Sequence, residues 1–215
     1  MSNPIFANAP PGPATATRRV ARWHDGVIEA LSFCLRCLVG LRYLHKQAGL
    51  FGLARVKGRP ILAGEGEIAI GRGLILVNTY LPCEFRCEKS ARIAIGRNVQ
   101  INYGVLIAAR RSVTIGDNVL VGNLSVIADT AFPTLPDQLA PADDSPQPIE
   151  IGDDVWLAAR VTVLPGAKIG RGSVIGAGSV VKGTIPPGVV AMGNPARPLT
   201  RIGARRSAAA SAAGA

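Results

Sequence analysis

From residue 151 the chain repeats every six residues, and no other feature constrains its fold as tightly. The units IGDDVW, LAARVT, VLPGAK, IGRGSV, IGAGSV and VKGTIP fill 151–186 in one register. Their first positions, Ile151, Leu157, Val163, Ile169, Ile175 and Val181, are all aliphatic. The fifth positions, Val155, Val161, Ala167, Ser173 and Ser179, are small or β-branched. The period is neither the 3.6 of an α-helix nor the plain alternation of a half-buried strand. Upstream it recurs as IGRNVQ and INYGVL (95–106), slips by two at 111–112, and resumes as IGDNVL and VGNLSV (115–126). IGRGLI (70–75) is a fainter copy.

Each unit reads as one short extended edge and one turn. The lead aliphatic points inward, and the small fifth residue packs beside the corner. Gly and Asn at 116–118 and 170–172 suit corners that need left-handed backbone. Pro165, Pro186 and Pro187 exclude an α-helix there. Three edges make a coil, and equivalent edges of successive coils pair in parallel. Residues 61–192, less a loop of about 20, predict roughly six coils and a stack about 30 Å tall. One coil cannot bury its own face, so such a stack needs many coils and caps.

The flanks differ. Residues 1–17 are polar and Pro-rich and are expected to be disordered. Residues 18–60 are expected to form a helical cap, because Val27, Leu31, Cys34, Leu38 and Leu41 recur at spacings of three and four. Arg36 and Arg42 interrupt the apolar stretch 27–44, which falls short of the roughly 20 apolar residues of a bilayer span. The start also lacks the basic-then-apolar pattern of a secretory leader. These features predict a cytoplasmic protein with peripheral membrane contact through the N-terminal helix. Residues 198–215 are expected to be a basic, Ala-rich flexible tail.

Charge is concentrated at the ends: +7 over 1–60, −1 over 61–195 and +4 over 196–215. No nucleic-acid motif accompanies the basic ends, so no nucleic-acid partner is expected. Phosphate-bearing ligands or anionic surfaces remain. CLRC (34–37) and CEFRC (83–87) have the spacing of half a zinc site. Their apolar setting favours reduced, buried thiols, and no metal is expected.

The strings VTIGDNVLVGNLSVIADT (113–130), IEIGDDVWLAARVTVLPGAKIGRGSVIGAGSVV (149–181) and IPPGVVAMGNPAR (185–197) resemble those of the hexapeptide-repeat acyltransferases. The sugar and polysaccharide O-acetyltransferases are the most similar group. The resemblance implies an all-β fold: a left-handed parallel β-helix of hexapeptide repeats over 61–197, with the N-terminal α-helical segment before it. It also implies a homotrimer with active sites between subunits. The implied activity moves an acetyl or other acyl group from acyl-coenzyme A to a hydroxyl of a saccharide acceptor. Acetyl-coenzyme A is the implied donor. Carried over by motif, Ala159 and Ala177 would line the pantetheine slot. Lys182 and Arg197 would meet the nucleotide phosphates, with Arg201 as a second cation. Asn102 and Tyr103 would contact the acceptor. Arg110 stands where some relatives carry an acid.

In this family a loop histidine takes the proton from the acceptor hydroxyl. Here the loop reads Asp129-Thr130-Ala131-Phe132-Pro133, and the aligned positions are Phe132 or Pro133. The chain has only two histidines, His24 and His45, both in the N-terminal segment. Three histidine ligands for zinc, as a β-helix carbonic anhydrase would need, are therefore lacking. Asp129 is the nearest substitute base, with capping of a turn as its structural role. The alternative to an acyltransferase is a catalytically impaired homologue that binds a ligand or serves assembly.

Overall fold

The structure is a computed structural model that describes residues 48–50, 54–130 and 145–203. Successive strands pass in rotation through three sheets, so each strand pairs in parallel with the one a full turn later. Among the described residues the first sheet holds seven strands: Ala48–Leu50, Glu67–Ile70, Arg92–Ile95, Ser112–Ile115, Ile149–Ile151, Lys168–Ile169 and Thr184–Ile185. The second contains Arg55–Lys57, Ile75–Val77, Gln100–Ile101, Leu120–Val121, Trp156–Leu157, Val174–Ile175 and Val189–Gly193. Ala196–Arg201 folds back antiparallel to that last strand and closes the sheet. The third contains Ile61–Ala63, Glu84–Cys87, Leu106–Ala109, Val126–Ala128, Thr162–Val163 and Val180–Val181. The described part is all-β with parallel sheets wound as a three-sided coil.

The lead positions of the repeat form the core. Ile151, Leu157, Val163, Ile169, Ile175 and Val181 are at most 3% exposed, and they stack on one another through the strand registers. Fifth positions are buried at the corners. Where they are serine, the hydroxyl serves the next coil's backbone. Ser125 Oγ donates to the Ala158 carbonyl at 3.3 Å and accepts from the Val161 amide at 3.1 Å. Ser173 Oγ donates to the Pro186 carbonyl at 2.7 Å. A buried hydroxyl is tolerated at these corners because it is bonded.

Outward side chains differ from sheet to sheet. The first sheet is polar, with Glu150 facing Lys168 at 2.8 Å and Glu67 facing Arg92 at 3.6 Å. The second carries an apolar column of paired residues: Leu120, Trp156, Val174 and Val190. Trp156 is 51% exposed and Leu120 43%. At the corners leaving the first sheet, charged and amide side chains bond from coil to coil. Arg97 holds Asp117 through two contacts at 2.9 and 2.6 Å, and Asn118 bridges Asn98 and Asp154. The Arg97 hydrogen bond holds the Asp117 carboxyl below its ordinary value; Asn118 and then Arg171 do the same for Asp154.

Both expected boundaries move. Ala48–Leu50 and Arg55–Lys57, inside the stretch read as helical, are strands paired with Glu67–Ile70 and Ile75–Val77. The coil therefore begins before residue 61. A short strand in this fold takes its order from the coil beside it, and not from local propensity. The remaining helical reading, the disordered 1–17 and Cys34 and Cys37 lie outside the described residues. At the other end, residues 198–201 belong to the closing strand and not to a flexible tail. No helix among the described residues is long and apolar enough to cross a membrane.

Candidate functional site

The corner joining the second sheet to the third collects most of the residues singled out in the sequence. It runs through 102–104, 122–124, 158–160 and 176–178 on successive coils. Backbone bonds tie it into a ridge: Leu124 N–H donates to the Tyr103 carbonyl at 3.0 Å, Arg160 to Asn123 at 2.8 Å and Gly178 to Ala159 at 3.0 Å. Tyr103, Ala159 and Ala177 thus lie along one edge of the molecule, with Asn102 opening the corner at the Tyr103 end. Coils approach closely here. A methyl group on Gly122 would fall 2.4 Å from the Ala158 carbonyl, so only glycine fits. Gly178, at φ +70°, has open space where a side chain would point. Residues 177–178 are consequently a short strip of backbone almost free of side chains, beside Ala158 and Ala159.

Arg197 closes the C-terminal end. It pairs with Met192 in the antiparallel hairpin. A methyl group on Gly176 would come within 2.8 Å of Met192 Cβ, which places the hairpin against the ridge. Arg197 and Arg201 are exposed. Lys182 is exposed too, but it sits at a different corner, between the third and first sheets. Sequence reasoning missed Arg160, an exposed cation beside Ala159 with φ 58°. Asn or Asp usually occupies that left-handed position, so an arginine there was itself a signal.

Asp129 lies at the third-to-first corner, and it is fully buried. Its Oδ1 accepts the Arg110 N–H at 2.8 Å; its Oδ2 accepts those of Arg111 and Ser112, both at 2.7 Å. The two-residue corner 110–111, where the six-residue register slips, is therefore held by this carboxylate. Arg110 Nε meets Glu88 at 3.2 Å. Residues 131–144, which include Phe132 and Pro133, lie outside the described residues, as do His24 and His45.

Cys83 and Cys87 are buried free thiols. Burial pushes the Cys83 thiol up to about 11, and Sγ donates to the Asn102 carbonyl at 3.0 Å. Burial, the largest cause, also raises Cys87. Among the described residues no group of three metal-ligating side chains converges. A surface groove of about 700 Å³ lies on the polar first sheet, lined by Thr114, Glu150, Lys168 and Thr184. It holds none of the ridge residues; in it Lys168 pairs with Glu150, and Arg171 pairs with Asp154.

Known proteins resemble this chain in sequence and fold. Residues 148–183 match the family described as bacterial transferase hexapeptide (six repeats). The galactoside O-acetyltransferase of Escherichia coli K12 is 41% identical over 115 residues, covering 54% of this chain and 57% of that protein. The solved maltose O-acetyltransferase of Clostridium difficile 630 is 30% identical, covering 74% of this chain and 72% of its own, with a TM-score of 0.50. A galactoside acetyltransferase solved in complex with coenzyme A is 27% identical, covering 92% and 76%, with a TM-score of 0.53. The chain belongs to the hexapeptide-repeat transferase family. The relatives just described carry the names of sugar O-acetyltransferases; of the first, this chain spans little more than half the length.

Proposed function

We propose that this protein transfers an acetyl group from acetyl-coenzyme A to a hydroxyl of a saccharide. The observation that carries the reading is the ridge: its small-residue strip and its tyrosine end lie on one continuous edge. The pantetheine arm would lie along 177–178 and Ala159, where the backbone is open. Arg197 would meet the nucleotide phosphates. Lys182, on another corner, would reach them only from a neighbouring subunit. Asn102 and Tyr103 would hold the acceptor. The acceptor oxygen attacks the thioester carbonyl carbon, the carbon–sulfur bond breaks, and the hydroxyl proton ends on the departing thiolate.

Asp129 is a poor acceptor for that proton, since it is buried at another corner and accepts three backbone amides. Transfer then rests on positioning, which can supply more than the roughly 10²–10⁴-fold of a general base. A slow transferase is the expected result. A second reading, a homologue that binds the donor without turnover, draws on the same observation about Asp129. Thermal-shift titration with acetyl-coenzyme A, followed by detection of released thiol with saccharides present, separates them. Stabilisation with thiol release supports the transferase, and stabilisation alone supports the second reading. No stabilisation at millimolar donor removes the transferase and leaves a homologue that binds another ligand or serves assembly.

We also infer a left-handed coil and a trimer. The exposed column around Leu120 and Trp156 needs a cover, and the loop after residue 130 leaves a different corner from the ridge, so one subunit does not bring the two together. Light scattering should give three times 22.3 kDa. A monomer at micromolar concentration would remove the shared site. The compartment of coenzyme A thioesters, the cytoplasm, is where we place it. Peripheral membrane contact through residues 18–47 would appear as salt-sensitive sedimentation with anionic vesicles.

A further inference from the structure

We infer that Tyr80 and Tyr103 form an aromatic shelf that receives the ring of a saccharide at the N-terminal end of the ridge. The inference deepens the acyltransferase reading, on which the shelf's use in catalysis rests. Successive coils cross this corner in four residues, at 102–105, 122–125, 158–161 and 176–179. Between Ile75–Val77 and Glu84–Cys87 the crossing takes six, 78–83. Leu76 pairs with Ile101 and Glu84 with Leu106, so by register the insert adds three residues to the repeat, and they lift Tyr80 and Leu81 off the coil. Tyr80 is 79% exposed and Leu81 49%.

The insert is braced and not loose. At its root, Asn78 is buried and its Oδ1 accepts the Cys83 N–H at 2.7 Å. Asn78 N–H donates to the Lys57 carbonyl on the coil below at 2.6 Å. Toward the coil above, Cys83 Sγ donates to the Asn102 carbonyl, and the Leu81 carbonyl accepts the Gly104 N–H at 3.1 Å. Five-membered Pro82 fixes one more backbone dihedral. The Tyr80 ring is thus held out in water by a rigid frame, 5.3 Å from the Tyr103 ring and at 78° to it.

An edge-to-face pair uses one ring's edge and one face of the other, so further ring faces stay open. Beside them stand the amides of Asn102 and Asn123, both partly exposed. A purely apolar ligand would leave those amides unmatched. A pyranose offers both halves: a C–H face for the ring and hydroxyls for the amides. Because the insert is already ordered, little conformational freedom is lost on binding.

The test uses the full chain with maltose and methyl β-galactopyranoside as probes. Saccharide affinity is measured by NMR titration; donor binding is measured separately by thermal shift. Tyr80→Ala should weaken the better probe about tenfold, the scale of a lost aromatic contact. Tyr80→Phe should restore binding to within about twofold, since the ring and not the hydroxyl is at work. Donor binding should be unchanged in both. Wild-type affinity in Tyr80→Ala, or no uptake of either probe by the parent, overturns the shelf. Saccharide binding that depends on Tyr80 in a protein that ignores acetyl-coenzyme A keeps the shelf and removes the transferase reading.

Discussion

Ala177→Leu should lower coenzyme A affinity by about 100-fold, roughly 2.7 kcal/mol, while leaving the fold intact. Ala177 is exposed, and the next residue, Gly178, faces open space, so the larger side chain enters no packed core. What it enters is the strip of backbone at 177–178, between the Met192 side chain over Gly176 and the open space at Gly178. A ligand arm lying there must either ride above the isobutyl group or give up its contacts with the backbone. Isothermal titration measures the loss. Thr184→Leu is the control: it adds a comparable side chain at an exposed site on the first sheet, and it should leave affinity unchanged. Equal affinity in Ala177→Leu and the parent would move the donor away from this corner. Arg197→Ala should cost less, about tenfold, because an exposed charge contact is partly screened.

The contrast between a steric and a charge effect also tells which parts of the site a sequence can reveal. Ala159 and Ala177 belong to the repeat itself. Once the six-residue register is set, residues 18 apart must fall on neighbouring coils, and the 3.0 Å bond from Gly178 to Ala159 follows. The core was legible for the same reason, since the lead aliphatics bury by position. Where the register breaks, the sequence was less informative. The insert at 78–83 reads as a lapse in the pattern, and nothing local says that Tyr80 meets Tyr103 from the coil above. Ala48–Leu50 and Arg55–Lys57 contain no lead-and-fifth pattern. Their strand state comes from pairing with Glu67–Ile70 and Ile75–Val77, a contact made some 20 residues away.

Asp129 is the clearest case of a role set at a distance, and its replacement should have the largest effect on stability. The sequence makes it the only acid at the head of the loop, hence a substitute base. The fold brings it against residues 110–112, where three consecutive amides donate to it at 2.7–2.8 Å. Bonds to an ionised acceptor contribute about 1.5–3 kcal/mol each, though not additively. Asp129→Ala leaves those partly buried amides without their acceptor, so it should cost about 2–4 kcal/mol of unfolding free energy. Asp129→Asn keeps one acceptor oxygen but turns an N–H₂ group toward backbone N–H donors, so it should also destabilise. Urea denaturation of the two variants and the parent decides the matter. A base with no structural duty would show the reverse pattern: transfer lost in Asp129→Asn at an unchanged midpoint. If both midpoints match the parent, the corner at 110–112 does not depend on this carboxylate, and Asp129 returns as the proton acceptor.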